Sequence, residues 1–164
     1  MRLSDVIEIL ARRLRMKRGR VAAIANRLQH AGAIPLADAK KTPPELSAGE
    51  IASLTIAVLA ERGVEGVAER YSQYSAMTAD GGYRLAETVT AILRGKAQAG
   101  DLIVKDGGVT ATVNGVHVVF GNPAEAGPAR FVTSATLAAI VAELSGASPA
   151  HADAVAAITR IRNY

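Results

Sequence analysis

Cysteine and tryptophan are both absent from this chain of 164 residues, and its aromatic residues are limited to four tyrosines and two phenylalanines. Without cysteine there is no disulfide and no thiolate metal site, which fits a reducing compartment such as the bacterial cytoplasm. No segment reaches the roughly 18 consecutive apolar residues of a membrane span. Charges at Arg2, Asp5 and Glu8 stand where a signal peptide would be apolar. We expect a cytoplasmic protein of one or two small domains, with an aliphatic core and no membrane partner.

Residues arranged for catalysis are scarce as well. The histidines His30, His117 and His151 lie far apart, and none has a second histidine at a metal-ligand interval. The serines lack the sequence context of a nucleophile elbow, and no glycine pair leads into the Gly-Lys-Ser or Gly-Lys-Thr of a nucleotide-binding loop. These absences predict a protein that is not an enzyme and that has no catalytic residues, no metal and no cofactor.

What the chain does have is an uneven distribution of charge. Residues 1–41 carry ten basic and three acidic side chains, a net charge of +7, whereas residues 42–164 carry nine basic and twelve acidic ones, a net charge of −3. Binding of nucleic acid needs a local positive field to meet the phosphates, while the rest of the protein only has to stay soluble. The asymmetry favours a nucleic-acid partner for the amino-terminal segment.

Two helices with matching apolar stripes are predicted within this basic segment, because its apolar residues recur every three or four positions. Ser4 is expected to cap the first helix, and the second is expected to run from about Arg20 to Ala31 and to end at Gly32. The small Ala11 suits a close crossing of the two helices. The stripes consist of Val6, Ile7, Leu10, Ala11 and Leu14 in the first helix and of Val21, Ile24 and Leu28 in the second.

These intervals resemble the helix-turn-helix of bacterial and phage repressors, and residues 26–34 also resemble the end of a winged-helix recognition helix. One position departs from the pattern: many family members have glycine four residues after the small alanine, and this chain has Arg15. Two explanations are open. Either the turn is longer and runs through Gly19, or Arg15 continues the first helix.

The resemblance implies that the second helix lies in the major groove of double-stranded DNA. Base edges are then expected to meet Lys17, Arg18 and Arg20 at its amino end and Asn26 and Arg27 further along, since arginine pairs with guanine and asparagine with adenine. The alternative is a solvated basic helical hairpin that binds an acidic protein. Expected phosphate contacts, which add affinity without sequence information, are Arg2, Arg12, Arg13, Lys40 and Lys41.

A change of character follows residues 37–45, which contain two prolines and are predicted to be a linker. Ser47 and Glu50 have the spacing of a capping box, and the helix they begin is expected to reach Arg62. A second helix should start near Val64 and complete a hairpin. Because the apolar face of this hairpin is unusually wide, burial by another subunit is expected. The residues assigned to oligomerisation are Ile51, Leu54, Val58, Leu59 and Tyr71.

The carboxyl-terminal third combines strands with helices. A helix over about residues 83–98 is expected to precede strands, of which the best defined are joined by Asn114-Gly115, a pair suited to a type I′ hairpin. That turn sets the register, with Val113 opposite Val116 and Thr112 opposite His117. Helices over residues 134–144 and 149–162 should follow, the first covering the apolar face of the sheet.

The expected fold is therefore mainly α with a small antiparallel β-hairpin or meander. Residues 1–36 are predicted to form a helix-turn-helix or winged-helix-like DNA-binding domain, and residues 46–164 a helical and α+β oligomerisation and interaction domain.

The order of parts resembles small DNA-binding proteins of phages and prophages, which implies a homo-oligomer. We favour a transcriptional regulator that acts on the transcription machinery. The alternatives are a small terminase subunit, which would form a ring through residues 46–77 and meet a large terminase subunit, and a non-enzymatic protein-interaction adaptor.

Overall fold

The computed structural model describes residues 1–36 and 44–162. Over these residues the chain is a mixed α/β protein with seven helices and one four-stranded antiparallel sheet, which confirms the expected mixture of many helices with a small antiparallel element. Lys40, Lys41 and most of the predicted linker lie outside the described residues. The elements are α1 Leu3–Arg13, α2 Arg18–His30, α3 Ala48–Leu59, α4 Val67–Ser75, α5 Leu85–Leu93, β1 Ala99–Lys105, β2 Gly108–Val113, β3 Val116–Gly121, β4 Arg130–Val132, α6 Ser134–Leu144 and α7 Pro149–Arg162.

Helix α1 begins one turn earlier than its apolar stripe suggested. Arg2 occupies the N-cap position in an extended conformation, and the prediction of Ser4 as the cap is wrong. The physical reason lies in a distant segment: the Leu3 amide donates to the Pro44 carbonyl at 3.0 Å, and the Leu46 amide donates to the Met1 carbonyl at 2.8 Å. These bonds hold the first residues extended and satisfy one of the free amides at the start of the helix.

The turn between α1 and α2 is short and has Arg15 at its centre. Arg15 has a φ of +54°, so it neither continues α1 nor belongs to a longer turn, and both explanations offered from the sequence are wrong. The Met16 amide donates to the Ala11 carbonyl at 2.8 Å and the Arg15 amide to the Arg12 carbonyl at 3.3 Å. This pair of bonds is a Schellman motif, a helix end in which the left-handed position is usually glycine. Gly19 lies inside α2.

The central hairpin forms with shorter helices than the sequence predicted. The capping box is confirmed: the Ser47 amide donates to Glu50 Oε2 at 2.6 Å, and the Glu50 amide donates to Ser47 Oγ at 3.3 Å. Helix α3 ends at Leu59 instead of Arg62, because the next residues leave the helix and pair with other elements. Helix α4 starts only after Gly66, whose φ is +70°.

Helix α5 is bounded by its own caps. It starts after Arg84 and ends before Gly95, which has a φ of +67°, so it is shorter at both ends than the expected range of 83–98. A glycine in the left-handed conformation ends a helix because its own amide and the next one can donate to carbonyls of the last helical turn. A continuing helix would otherwise bond those carbonyls.

The sheet has the strand order β3-β2-β1-β4. Its hairpin confirms the predicted turn and register: Asn114 and Gly115 have φ values of +52° and +79°, Val113 pairs with Val116, and Thr112 pairs with His117. Strand β4, which pairs with β1, was not expected.

The inner face of the sheet is covered by helices from both sides of it in the chain. Val104 and Val109 of the sheet and Leu59, Tyr74 and Val89 of α3, α4 and α5 line one small internal cavity of about 10 Å³. Helix α6 packs on β1, as expected, and Leu137 and Ile140 belong to the same buried cluster as Leu102 and Val104 of that strand. Side chains of α3, α4 and α5 face the same side of the sheet, so α6 shares the cover with them.

One apolar core joins the amino-terminal helices to the rest of the described chain. Val6, Leu10 and Ile24 belong to the same cluster of buried side chains as Leu54 of α3 and Phe120 of β3. Helix α7 packs on α6 through a separate cluster of alanines. Within residues 1–36 and 44–162, no helix is both long and apolar enough to cross a membrane.

Candidate functional site

The outer face of α2 is open to solvent. Val21, Ile24 and Leu28 are buried on its inner side, and because successive residues turn by about 100°, Asn26 and His30 project on the opposite side and are exposed. The neighbouring residues Gly19, Ala22 and Ala23 have no side chain or only a methyl group, so they leave a shallow surface beside Asn26 and His30. A Cβ atom added at Gly19 would meet no described atom within 4 Å. A large ligand can therefore come close to the backbone of α2 on this face.

The amino end of α2 is electropositive. Its N-cap is Lys17, which is exposed and whose side chain makes no capping hydrogen bond within the described part of the chain. The first turn reads Arg-Gly-Arg-Val and contains no acidic residue. Free amides and the helix dipole make such an end favourable for anions. Arg18 Nε pairs with Glu8 Oε2 at 2.9 Å, and both side chains are more than half exposed, so this pair contributes little to stability.

Arg20 connects α2 to the centre of the protein through a buried carboxylate. Its Nη2 lies 2.6 Å from Glu61 Oε1 and its Nε 3.2 Å from Glu61 Oε2, while Arg130 Nη2 lies 3.8 Å from Oε2. The Glu61 side chain has no exposed surface. Burial alone would raise the pKa of Glu61, but the hydrogen bonds and charge of Arg20, together with Arg130, hold it below its usual value. Arg20 thus fixes the position of α2 while half of its side chain remains exposed.

A second buried carboxylate occupies the end of α1. Glu143 of α6 is 3% exposed and forms ion pairs with both Arg12 and Arg13. Arg13 also pairs with Asp153 of α7 and donates to the Pro149 carbonyl at 3.2 Å. Only 14% of the Arg13 side chain is exposed. The carboxyl end of α1 is therefore attached to α6 and α7 by its two arginines.

The structure divides the predicted DNA contacts into two groups. Lys17, Arg18, Asn26 and Arg27 are exposed along α2, and Arg20 lies at the edge of this surface. Arg12 and Arg13 face α6 and α7. Sequence reasoning treated Arg15 only as a turn residue, yet it is exposed beside both groups.

Sequence reasoning also gave no role to Glu61 and Glu143. No local signal marks these two, because each becomes buried through partners far away in the chain.

The residues assigned to oligomerisation lie inside a single chain. Leu54 and Val58 are completely buried, and Ile51 and Leu59 nearly so. Tyr71 is half-buried, and its hydroxyl is 2.8 Å from Ser53 Oγ. The wide apolar face that suggested a partner subunit is therefore covered by intrachain packing. Self-association stays a prediction, and it would need a different surface.

Among the residues that the structure describes, no three histidine, aspartate or glutamate side chains come together as a candidate metal site. Comparisons with protein-family models, with curated proteins and with solved structures found no match to this chain.

Proposed function

We propose that this protein binds double-stranded DNA sequence-specifically through α2, as a homo-oligomeric transcriptional regulator of the phage or prophage type. The observation that carries the proposal is the exposed outer face of α2, which combines a cationic, acid-free amino end with Asn26 and Arg27 on a low surface. A helix of this kind fits the major groove, which is about 12 Å wide.

The turn before α2 supports a helix-turn-helix. Repressors of this class often place a positive φ four residues after the small alanine of the first helix, and Arg15 stands at that distance from Ala11 with a φ of +54°. A left-handed arginine costs roughly 1–2 kcal/mol relative to an ordinary helical conformation. The chain adopts the left-handed conformation at Arg15 without the usual glycine. Acceptance of this cost is consistent with a turn whose geometry is needed for DNA binding.

Within this proposal some side chains of α2 contact bases and others contact phosphates. Asn26 pairs with adenine and Arg27 or Arg18 pairs with guanine, which are the base pairings that suit these side chains. Lys17 and Arg15, at the amino end and in the turn, contact phosphates, as do the free amides of the first turn. Arg12 and Arg13 contribute to the positive field, but their ion pairs with Glu143 occupy their guanidinium groups.

The packaging alternative is less favoured by the geometry. A small terminase subunit was expected to form its ring through the hairpin that now comprises α3 and α4. Because Leu54 and Val58 are buried in the core of one chain, they offer no surface for that contact.

Incubation with fragmented genomic DNA at moderate salt, followed by sequencing of the retained DNA and by light scattering, tests the proposal directly. A dimer that retains a short inverted repeat near a promoter supports the regulator. A ring of roughly eight or more subunits that retains a packaging-type site supports the terminase. A failure to retain DNA contradicts both and leaves the adaptor.

Gly19 provides the sharpest pair of variants. Gly19→Glu and Gly19→Lys both fill open space in the first turn of α2, and both remove a helix-unfavourable glycine, so neither should harm folding. The carboxylate would repel phosphate at the centre of the proposed interface, and we expect it to weaken DNA binding about a hundredfold. The lysine should preserve or raise overall affinity. Equal binding by both variants would place the interface elsewhere.

A further inference from the structure

A cavity of about 340 Å³ lies between the carboxyl end of α1 and the helices α6 and α7. Its lining is dominated by arginine: Arg12 and Arg13 from α1, Arg15 from the turn, and Arg160 from α7. The only carboxylate that lines it within the described chain is that of Asp153. Four arginine residues thus line one concave surface.

The charges around this cavity do not balance. Glu143 and Asp153 form the ion pairs of Arg12 and Arg13. Arg15 and Arg160 make no ion pair and no side-chain hydrogen bond with any described residue, and both are exposed. Four positive charges against two negative ones leave an excess of two at the cavity.

Part of the cavity wall is held in place by packing and by ion pairs. Ala139 and Ala156 line it, and these alanines also belong to the tightly packed cluster that joins α6 to α7. Their methyl groups are too short to fill the space between the helices. Arg13 is held from both sides by Glu143 and Asp153, so its guanidinium group is fixed in place.

We propose that this cavity binds a small molecule bearing an oxyanion of charge two or more, either a phosphate ester or a polycarboxylate, with Arg15 and Arg160 as its principal ligands. Guanidinium groups present paired donors that match the oxygens of phosphate and carboxylate. The cavity volume lies within the range of about 300–1,000 Å³ that is typical of small-molecule sites. The site shares Arg15 with the proposed DNA surface, whereas Arg160 and the walls from α6 and α7 belong to the cavity alone, and its occupation does not require DNA.

The test uses the full chain and two probes, pyrophosphate and citrate, at an ionic strength kept constant with sodium chloride. We expect both calorimetric binding and a rise of the unfolding temperature that sodium chloride alone does not produce. Arg15→Gln and Arg160→Gln should each weaken binding about tenfold. Arg94→Gln, which removes an exposed arginine at the end of α5, should leave binding unchanged.

The variants are expected to fold normally, because Arg15 and Arg160 have no carboxylate partner in the described chain. The unfolding temperature of each variant without ligand is measured as a direct check. The absence of any stabilisation beyond that of sodium chloride would overturn the proposal. So would equal binding by the wild type and by the double variant of Arg15 and Arg160.

Duplex DNA could supply the same phosphate chemistry, and the variants separate the two sources. If Arg160→Gln weakens binding of pyrophosphate and leaves binding of a short duplex unchanged, the site takes a free small molecule, as proposed. If the wild type does not bind pyrophosphate and Arg160→Gln weakens binding of the duplex, the cavity is part of a DNA surface and the proposal is wrong.

Discussion

The carboxyl end of α1 and the outer face of α2 contain the same kind of residue in opposite surroundings. Arg12 and Arg13 form ion pairs with a glutamate that is 3% exposed, whereas Arg27 and Lys17 are exposed and unpaired within the described chain. Each of these four side chains contributes one positive charge to residues 1–41. A basic composition therefore does not by itself measure the positive surface available to a partner, because buried carboxylates decide which arginines are used internally.

Buried glutamates attach both α1 and α2 to the rest of the described chain. Each is connected to later elements by one buried glutamate, Glu143 for α1 and Glu61 for α2. Taking a carboxylate out of water is costly unless it is paired and hydrogen-bonded. We therefore expect these two pairings to specify where the helices sit more than they add to overall stability.

The largest effect is expected from Glu143→Ala, which would leave Arg12 and Arg13 without their shared partner. Breaking a buried ion pair by removing one member destabilises by about 3–5 kcal/mol. Arg12 is partly exposed and Arg13 keeps Asp153, so we expect a loss of about 2 kcal/mol. The free energy of unfolding in urea measures it.

Glu125→Ala is the matched control for this measurement, since Glu125 is exposed and makes no ion pair among the described residues. A loss no greater than that of the control would show that α1 does not depend on Glu143.

On the α2 side, Asn26→Ala and Arg27→Ala should leave stability almost unchanged, because both side chains are exposed. Each should lower affinity for the best DNA site about tenfold and relax the preference at one base position. Binding to a library of randomised duplexes measures both effects. With Arg94→Ala as the control, a uniform loss across all sequences would mean that these residues contact phosphates and do not read bases.

Structure set by short-range chemistry could be predicted from the sequence. Asn114-Gly115 sets a hairpin whose pairs follow one by one, and the apolar spacing of Val21, Ile24 and Leu28 defines the buried side of α2. Each of these depends only on residues within one or two turns of the chain.

Features that depend on distant partners were not predictable. Strand β4 has only three residues, too few to show an alternation, and it exists because β1 offers an edge. Glu143 lies among apolar residues of α6 with no sequence signal that two arginines 130 residues away will meet it. Arg15 took a position where local propensity favours glycine, because the packing of α1 on α2 outweighs that preference.

Acid should weaken the attachment of α2 through Glu61. Its pKa is lowered in the folded protein, so its contribution to stability is present above the unfolded-state value of about 4.3 and is lost as the pH falls through the folded-state value. Glu61→Gln should therefore lose less stability than the wild type between pH 6 and pH 3. Urea unfolding at several pH values measures the difference. Parallel curves for the two proteins would contradict the assigned pairing.

The smallest expected effect concerns the salt dependence of DNA binding. Lys17→Ala removes an exposed cation beside the amino end of α2 and should reduce the slope of log affinity against log salt by about one unit. Arg12→Ala removes the same charge from α1, but its guanidinium group is already paired with Glu143. Fewer counterions are released when a paired cation meets DNA, so its slope should change by clearly less than one unit. Equal slope changes would mean that the pairing opens when DNA binds, and that α1 joins the interface.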